Sequence, residues 1–490
     1  MIGAYCWPQS LVAGESTQLF CHAQTSRAHL EVVRVGVEQT TVVSRQIQVF
    51  EQPLDADLAS VGCRWRESLE IQVGREWTAG FYLVRIGSLV DDAIAETCEA
   101  FFVVRAQQPR SMLLVLSTST WSAYNDWGGS SFYTGGHTSA LQRPLPAGFL
   151  YKTDPARFRV AHVIDWSKSD ARAFAQLGYS QWCMAAGWAN WEQLFVAWAE
   201  AAGYTLGFAT SLDLHADPNL LDGYKTYLSV GHDEYWSYAM RDHVEQFVDA
   251  GGNAAFFSGN TAFWQARFEN QNTQLVSYKM AIEEDPYYQS GQGEYVSSMW
   301  SDPLVGRSEN QMTGVSFIRG GYAHMPNSPR GSGGYALAQN DHWVFDGVQL
   351  NPDEDLGMNS TVVGYECDGC PLEDRDGLPF VVEPLLPEVP APTGFEILAT
   401  APARLWETHQ LAVGLRDDYV GELNWVAQRM QGEDSVANRA IYDQGHAVMG
   451  YFRRGQGRVF TTGCTDWAYG LADPNVVKVT HNVLDTFNKR

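Results

Sequence analysis

Short runs in which apolar and polar residues alternate fill the first hundred positions of the chain. Leu30–Val35 (LEVVRV) and Phe81–Ile86 (FYLVRI) follow this pattern, and polar turns separate such runs from one another. Alternation with a period of two is typical of half-buried strands. Several short strands in series are typical of an immunoglobulin-like β-sandwich. The pattern therefore predicts a β-sandwich domain over residues 1–107.

The pattern changes after the polar segment at 105–110. Met112–Leu116 (MLLVL) is a continuous apolar run, of the kind that is buried on both faces in a parallel sheet. Beyond this run, patterns typical of helices and of strands alternate. Helices are predicted at 191–203, 235–250 and 476–488, and strands at 227–230, 254–257, 447–451 and 458–462. This order predicts a doubly wound α/β domain over residues 111–490. A Gly-, Pro- and aromatic-rich stretch at 271–444 is interpreted as a β-rich insertion in that domain.

Charge narrows the classes of partner. The chain has 490 residues with 33 Lys and Arg against 57 Asp and Glu, a formal net charge of −24. Such a charge repels the phosphates of nucleic acids and anionic lipids. No apolar stretch is long enough to span a membrane and no secretory signal is visible, so we expect a cytoplasmic protein. The eight cysteines are expected to be mostly free thiols, although pairing within the first domain stays open.

Polar residues that directly follow predicted strands are the first candidates for chemistry, because ligands bind beyond the carboxyl ends of strands in open α/β sheets. His232 and Glu234 follow the strand at 227–230. Their turn has the form of a nucleophile elbow but lacks Ser or Cys, which argues against an acyl-enzyme. Two interpretations remain. Either the turn is a helix cap with a hydrogen-bonded histidine, or it offers one group to a metal and one to a substrate.

A glycine-rich loop with two tyrosines follows the strand Met112–Leu116. Tyr124 and Tyr133 could pack as loop aromatics against Trp121 and Trp127. Alternatively, their phenolates together with a carboxylate would form an anionic oxygen set, which suits a ferric ion better than the nitrogen and sulfur ligands of zinc sites. Both interpretations are compatible with the spacing.

Two later segments carry further candidates. Apolar residues precede Glu366, as if a strand delivered its carboxylate to a site. Cys367 and Cys370 form a single C-x-x-C motif, and a structural zinc ion needs four ligands, so a zinc site is not favoured. Asp213 and His215 end another predicted strand and are interpreted as loop and cap residues.

Four segments in the order TWSAYN (120–125), GHDEY (231–235), GYE (364–366) and GCTDW (463–467) resemble the C-terminal domain of the N,N-dimethylformamidase large (beta) subunit family. The likeness covers about residues 111–490. It implies a catalytic domain related to the class I glutamine amidotransferase fold, which uses one iron ion in place of a cysteine nucleophile.

The resemblance also implies roles for individual residues. It assigns a mononuclear Fe(3+) to Tyr124, Tyr133 and Glu234, with Tyr151 as the alternative to Tyr133. It makes His232 and Glu366 the catalytic pair. Ferric iron would polarise the amide carbonyl or lower the pKa of a bound water, and Glu366 would take the proton of that water. His232 would hold the oxyanion or protonate the amine.

These expectations define a function. The chain is predicted to be an iron-dependent hydrolase that cleaves the C–N bond of a small amide such as a dialkylformamide, as a homo-oligomer or with a small accessory subunit. One alternative is a non-catalytic amidotransferase-like protein whose sandwich binds carbohydrate or a partner. Another keeps the iron for a different hydrolysis or an oxidation, which the lack of a two-histidine ligand set disfavours. Residues 111–490 are expected to fold without the sandwich, since every candidate residue lies beyond it.

Overall fold

The computed structural model describes residues 1–162, 176–375, 378–381, 391–411 and 420–489 as a mixed α/β protein with several sheets. Contacts within the chain divide it into two compact units, and each unit is considered over its described residues. The first unit consists of Met1–Pro155, Arg172–Tyr224 and Phe268–Val276, and the second of Ala156–Ala171, Lys225–Arg267 and Ser277–Arg490.

The elements are numbered along the described residues. The strands are β1 (Ile2–Trp7), β2 (Ser10–Val12), β3 (Ser16–Ala23), β4 (Arg27–Val35), β5 (Gln39–Gln48), β6 (Leu69–Gln72), β7 (Gly80–Val90), β8 (Ala93–Arg105), β9 (Met112–Leu116), β10 (Thr138–Ala140), β11 (Leu206–Thr210), β12 (Thr226–His232), β13 (Tyr235–Trp236), β14 (Asn253–Gly259), β15 (Trp264–Gln265), β16 (Arg267–Glu269), β17 (Gln274–Val276), β18 (Ser316–Tyr322), β19 (Ala336–Leu337), β20 (Glu366–Gly369), β21 (Leu372–Arg375), β22 (Leu378–Val381), β23 (Glu396–Ala403), β24 (Gly445–Arg454) and β25 (Gly457–Thr461). The α-helices are α1 (Leu58–Val61), α2 (Thr118–Ala123), α3 (Glu192–Ala201), α4 (Ser211–Ala216), α5 (Tyr238–Asp249), α6 (Pro286–Gln289), α7 (Asn310–Thr313), α8 (Glu422–Gln431), α9 (Val436–Arg439) and α10 (Pro474–Asn488).

The first hundred residues form two sheets around one apolar core. One sheet has the order β1-β3-β6 and the other β2-β8-β7-β4-β5. Leu19 and Cys21 of the first sheet and Val32, Val84 and Phe102 of the second belong to the same buried cluster. The alternating apolar positions of the strands meet in that cluster, because successive side chains of a strand point to opposite faces.

The first unit extends past the predicted boundary at residues 107–111. Its strands β9 and β11 pair in parallel. Phe81 of β7 stacks on Trp188 with ring centroids 4.0 Å apart, and Phe101 of β8 meets Trp121 of α2 at 5.3 Å. Large aromatic side chains thus pack the outer face of the five-stranded sheet onto residues of the α2 and α3 region.

The second unit is built on a sheet in which three parallel strands lead to the candidate site. Strands β12, β14 and β25 are parallel and adjacent, and β24, β23 and β19 continue the sheet in antiparallel fashion. His232 is the last residue of β12 and Gly259 the last residue of β14. Groups that follow these strands therefore meet at one edge of the sheet, where open α/β sheets bind ligands.

Local chemistry explains where the observed elements differ from the predicted ones. The helix predicted at 235–250 begins only at Tyr238, since the Ser237 side chain accepts a hydrogen bond from the Met240 amide and caps it. Tyr235 and Trp236 form strand β13 instead and pair with β15. Glu366 opens strand β20, so the apolar residues before it do not form the expected strand. No helix among the described residues is both long enough and apolar enough to cross a bilayer.

Candidate active site

A buried histidine between two carboxylates forms the centre of the candidate site in the second unit. His232 Nε2 lies 2.7 Å from Glu366 Oε2 and 3.3 Å from Glu234 Oε2. All three residues are at most 3% exposed. The structure thus brings the predicted catalytic pair into direct contact and places Glu234 beside it.

Asn260, directly after β14, completes this group. Its Nδ2 donates to Glu366 Oε2 at 3.1 Å and lies 3.4 Å from His232 Nε2. Asn260 has a φ of +48°, in the left-handed region that Asn tolerates better than most residues. The preceding Gly259 is needed because a Cβ there would lie 2.5 Å from the backbone oxygen of Glu366.

Backbone and hydroxyl hydrogen bonds fix the turn that carries His232 and Glu234. The carbonyl of Asp233 accepts from the Ala262 amide at 2.8 Å, and that of Glu234 accepts from the Trp264 amide at 3.0 Å. Asp233 Oδ2 also accepts from Ser229 Oγ at 2.7 Å. Helix α5 is capped by Ser237, so the interpretation of this turn as a helix cap is wrong. The turn instead holds the side chains of His232 and Glu234 in contact with each other.

Electrostatics favour a protonated His232. Burial alone would lower the pKa of this imidazole, but the charges and hydrogen bonds of Glu366 and Glu234 outweigh burial and raise the pKa well above its usual value. The raised pKa favours the imidazolium form of His232. Such a group can donate a proton to a leaving nitrogen.

Three further ionisable groups lie in this part of the second unit with strongly shifted pKa values. Burial lowers the pKa of Lys279 to about 7, against the opposing charges of Glu234, Glu422 and Glu366. Burial raises the pKa of Glu422 to about 7 and that of Asp368 to about 8. Buried groups that titrate near neutral pH cluster at functional sites.

Two tyrosines line the same group. The ring of Tyr365 meets the imidazole of His232 edge-on, with centroids 5.8 Å apart. Tyr322 stands opposite Glu366 in the antiparallel pair β18–β20, and its hydroxyl donates to Glu422 Oε1 at 3.0 Å. Tyr322 therefore links Glu422 to the strand pair that carries Glu366.

The predicted tyrosine ligands lie in the first unit and are close to each other. The rings of Tyr124 and Tyr133 stack with centroids 4.2 Å apart, and both rings contact Trp182. Tyr151, the alternative ligand, lies under the guanidinium of Arg85 at 4.9 Å. Of the two alternatives, Tyr133 is the one whose ring contacts that of Tyr124.

The remaining candidates have structural roles. Asp213 forms a capping box with Thr210 at the start of α4, as the interpretation as a cap predicts, and His215 packs on Phe268. All eight cysteines are described and free. Cys367 stands opposite Cys464 in an isolated bridge, and Cys370 is part of an apolar cluster.

The donor atoms can be tested against the implied iron. In the described part of the chain, no three His, Cys, Asp or Glu side chains form a group that could hold a metal ion. The paired phenols of the first unit and the buried Glu234 carboxylate of the second are hard oxygen donors of the kind that ferric ion prefers. The chemistry of these donors fits the implied metal.

Sequence reasoning missed Asn260, Lys279 and Glu422. Asn260 follows a predicted strand, and the rule that identified His232 would have identified it too. Lys279 and Glu422 follow no predicted strand and belong to no motif. Only the folded chain shows that they lie near the catalytic pair.

Fold and site together define a mixed α/β protein with a buried histidine–carboxylate cluster beyond the ends of parallel strands. The profile of the family described as N,N-dimethylformamidase beta subunit-like, C-terminal, matches residues 29–482, and the chain belongs to that family. This confirms the resemblance and extends it from residue 111 back into the sandwich. The four short motifs could not show that extension, because the sandwich carries none of them. No curated protein sequence matches the chain.

Proposed function

We propose that the protein is an iron-dependent hydrolase that cleaves the C–N bond of a small linear amide. The contact of His232 with Glu366 and Glu234 inside the protein carries this proposal. Amide hydrolysis needs a base for the attacking water and an acid for the departing nitrogen, and this contact supplies one of each. The family description adds support, since it names an amide-hydrolysing enzyme.

We propose Tyr124, Tyr133 and Glu234 as the iron ligands. When bound, ferric iron supplies Lewis acidity for a carbonyl or a water. The stacked phenols and the buried carboxylate support the assignment by their chemistry. Hydrogen bonding of Glu234 to His232 would orient the carboxylate, as partners of metal ligands commonly do.

The proton steps use the chain's own groups. The Glu366 carboxylate takes one proton from water while the water oxygen bonds to the carbonyl carbon. His232 Nε2 donates its proton to the amide nitrogen, the C–N bond breaks, and a carboxylic acid and an amine leave. The proton on Glu366 then passes to His232 Nε2, 2.7 Å away, which restores both groups. Asn260 holds Glu366 in place through its 3.1 Å hydrogen bond. Burying so many ionisable groups is costly in desolvation, and proton transfer in catalysis gives them a use.

The finer architecture belongs to the same proposal. We propose an immunoglobulin-like sandwich over residues 1–107 and an amidotransferase-like domain over 111–490. The word subunit in the family description supports an assembly with a second copy or a small accessory chain.

A matched pair of substitutions tests the catalytic assignment. Glu366→Gln keeps size and hydrogen-bonding shape but cannot accept the proton, so kcat for the release of amine from a formamide should fall by about 10²-fold or more. Glu373→Gln, on an exposed glutamate of β21, makes the same chemical change and should leave kcat unchanged. Near-normal turnover of Glu366→Gln would place the base elsewhere.

A further inference from the structure

Asn260 presents a buried acceptor next to the catalytic pair. Its Nδ2 is committed to Glu366 Oε2, and a carboxylate can only accept, so the orientation of the amide is fixed. Its Oδ1 is buried and, among the described residues, has no hydrogen-bond partner. A buried acceptor without a partner is costly and calls for an explanation.

Glu422 presents a second such acceptor. Its Oε1 accepts from the hydroxyl of Tyr322, which stands opposite Glu366 in the β18–β20 pair. Its Oε2 is buried and has no hydrogen-bond partner within the described part of the chain. Burial raises the pKa of Glu422 to about 7, so above neutral pH this atom is a carboxylate acceptor.

The attacking water cannot satisfy both atoms. A water molecule has two hydrogens, and one of them points to Glu366 when that residue acts as the base. The second hydrogen can bond to only one of the two acceptors, which leaves the other for a donor of the substrate. An N,N-dialkylamide has no N–H to give, whereas a primary amide has two and an N-alkylamide has one.

We infer that the preferred substrate is a carboxamide that keeps at least one N–H, and that Asn260 Oδ1 and Glu422 Oε2 are the acceptors that select it. This inference rests on the proposed function and narrows it. Sites that hydrogen-bond an N–H of their substrate discriminate strongly against the analogue that lacks it, because the acceptor is then left unpaired.

A series of amide substrates that share one acyl group tests the inference on the wild-type protein. Formamide, N-methylformamide and N,N-dimethylformamide all release formate, so one assay on the iron-loaded full chain gives kcat/KM for each. At alkaline pH we expect N-methylformamide to exceed N,N-dimethylformamide by about 10-fold or more. Equal values, or a preference for N,N-dimethylformamide, would overturn the inference while the proposed function stands. Hydrolysis of none of the three would instead refute the proposed function and the inference with it.

A substitution then assigns the selectivity to a residue. In Glu422→Gln the Tyr322 hydroxyl engages the amide oxygen and an NH₂ group replaces Oε2, so a donor faces the substrate N–H. The ratio of kcat/KM for N-methylformamide over N,N-dimethylformamide should fall by about 10-fold. Glu283→Gln, on an exposed glutamate, should leave that ratio unchanged. A folded Glu422→Gln protein with the wild-type ratio would show that Glu422 is not the selecting acceptor. If Glu422→Gln does not fold, the wild-type series alone decides.

Discussion

The imidazole of His232 lies within reach of two carboxylates that have different proposed tasks. Glu366 is the nearer one and also accepts from Asn260, which suits a base held in a fixed orientation. Glu234 is slightly farther from Nε2 and belongs to the turn, where backbone hydrogen bonds from Ala262 and Trp264 hold it. Metal content can separate the two tasks.

Replacing Glu234 by Ala should remove iron and activity together. The substitution deletes an anionic ligand that the site cannot replace with the same geometry. Iron per chain, measured on the purified variant, should fall well below the wild-type value. Glu366→Gln serves as the control and should keep its iron. Iron retained by Glu234→Ala would show that Glu234 is not a required ligand, and iron lost from Glu366→Gln would make Glu366 a ligand.

Asp368 gives a prediction about pH. Burial raises the pKa of this residue from 3.8 to about 8, so between these values the folded chain holds a proton that the unfolded chain has lost. The free energy of unfolding therefore contains a contribution that is present below about pH 4 and is lost as the pH rises through about 8. Asp368→Asn removes this loss and can still accept from the Thr261 amide. In urea unfolding, the free energy of unfolding of the variant should rise relative to that of the wild type as the pH rises through this window. A difference that does not change with pH would contradict the assignment.

The sequence predicted part of this site for reasons that can be stated residue by residue. His232 follows the predicted strand at 227–230, a position where chemistry is expected, and a family motif marks Glu366. Asn260 obeys the strand rule too. Lys279 belongs to the predicted insertion and has a φ of +53°. No local sequence pattern indicates that a lysine at this position is buried. Glu422 starts helix α8 and resembles any acidic residue at a helix start.

At the scale of elements, long periodic segments were predictable and short ones were not. Strand β9 has its predicted bounds, and α10 begins within two residues of its predicted start. The sequence pattern includes the two-residue strand β13 in a helix, because two adjacent aromatic residues are too few to show a strand or helix periodicity. Its pairing with β15 depends on a residue contact between separate parts of the chain, which local propensity does not contain.

Removal of the sandwich is the prediction that belongs to this scale. Sequence alone favours independent folding of residues 111–490, but the structure argues for the opposite. Trp121 would lose its edge contact with Phe101, Trp188 would lose its stacking on Phe81, and both indoles would become exposed. We expect the 111–490 fragment to aggregate, as light scattering would show, because an exposed apolar patch of this kind promotes association. A monodisperse fragment with a cooperative unfolding transition would prove the sandwich dispensable.

For the whole molecule, the net charge of −24 fits the proposed reaction. A neutral amide is not repelled by a negative field, whereas the carboxylate product is repelled. The same field argues against nucleic acid as a partner. Charge thus restricts the class of ligand but not the site, which is set by a few buried residues.

The central claim is that this chain hydrolyses amides and needs iron to do so. The most direct measurement is the rate of formate release from N-methylformamide by the full chain, first with iron, then after its removal by a chelator, and again after iron is returned. The account predicts turnover with iron, a loss of about 10²-fold or more without it, and recovery on its return. Turnover that is unchanged by removal of the metal, or absent at every stage, would contradict the account.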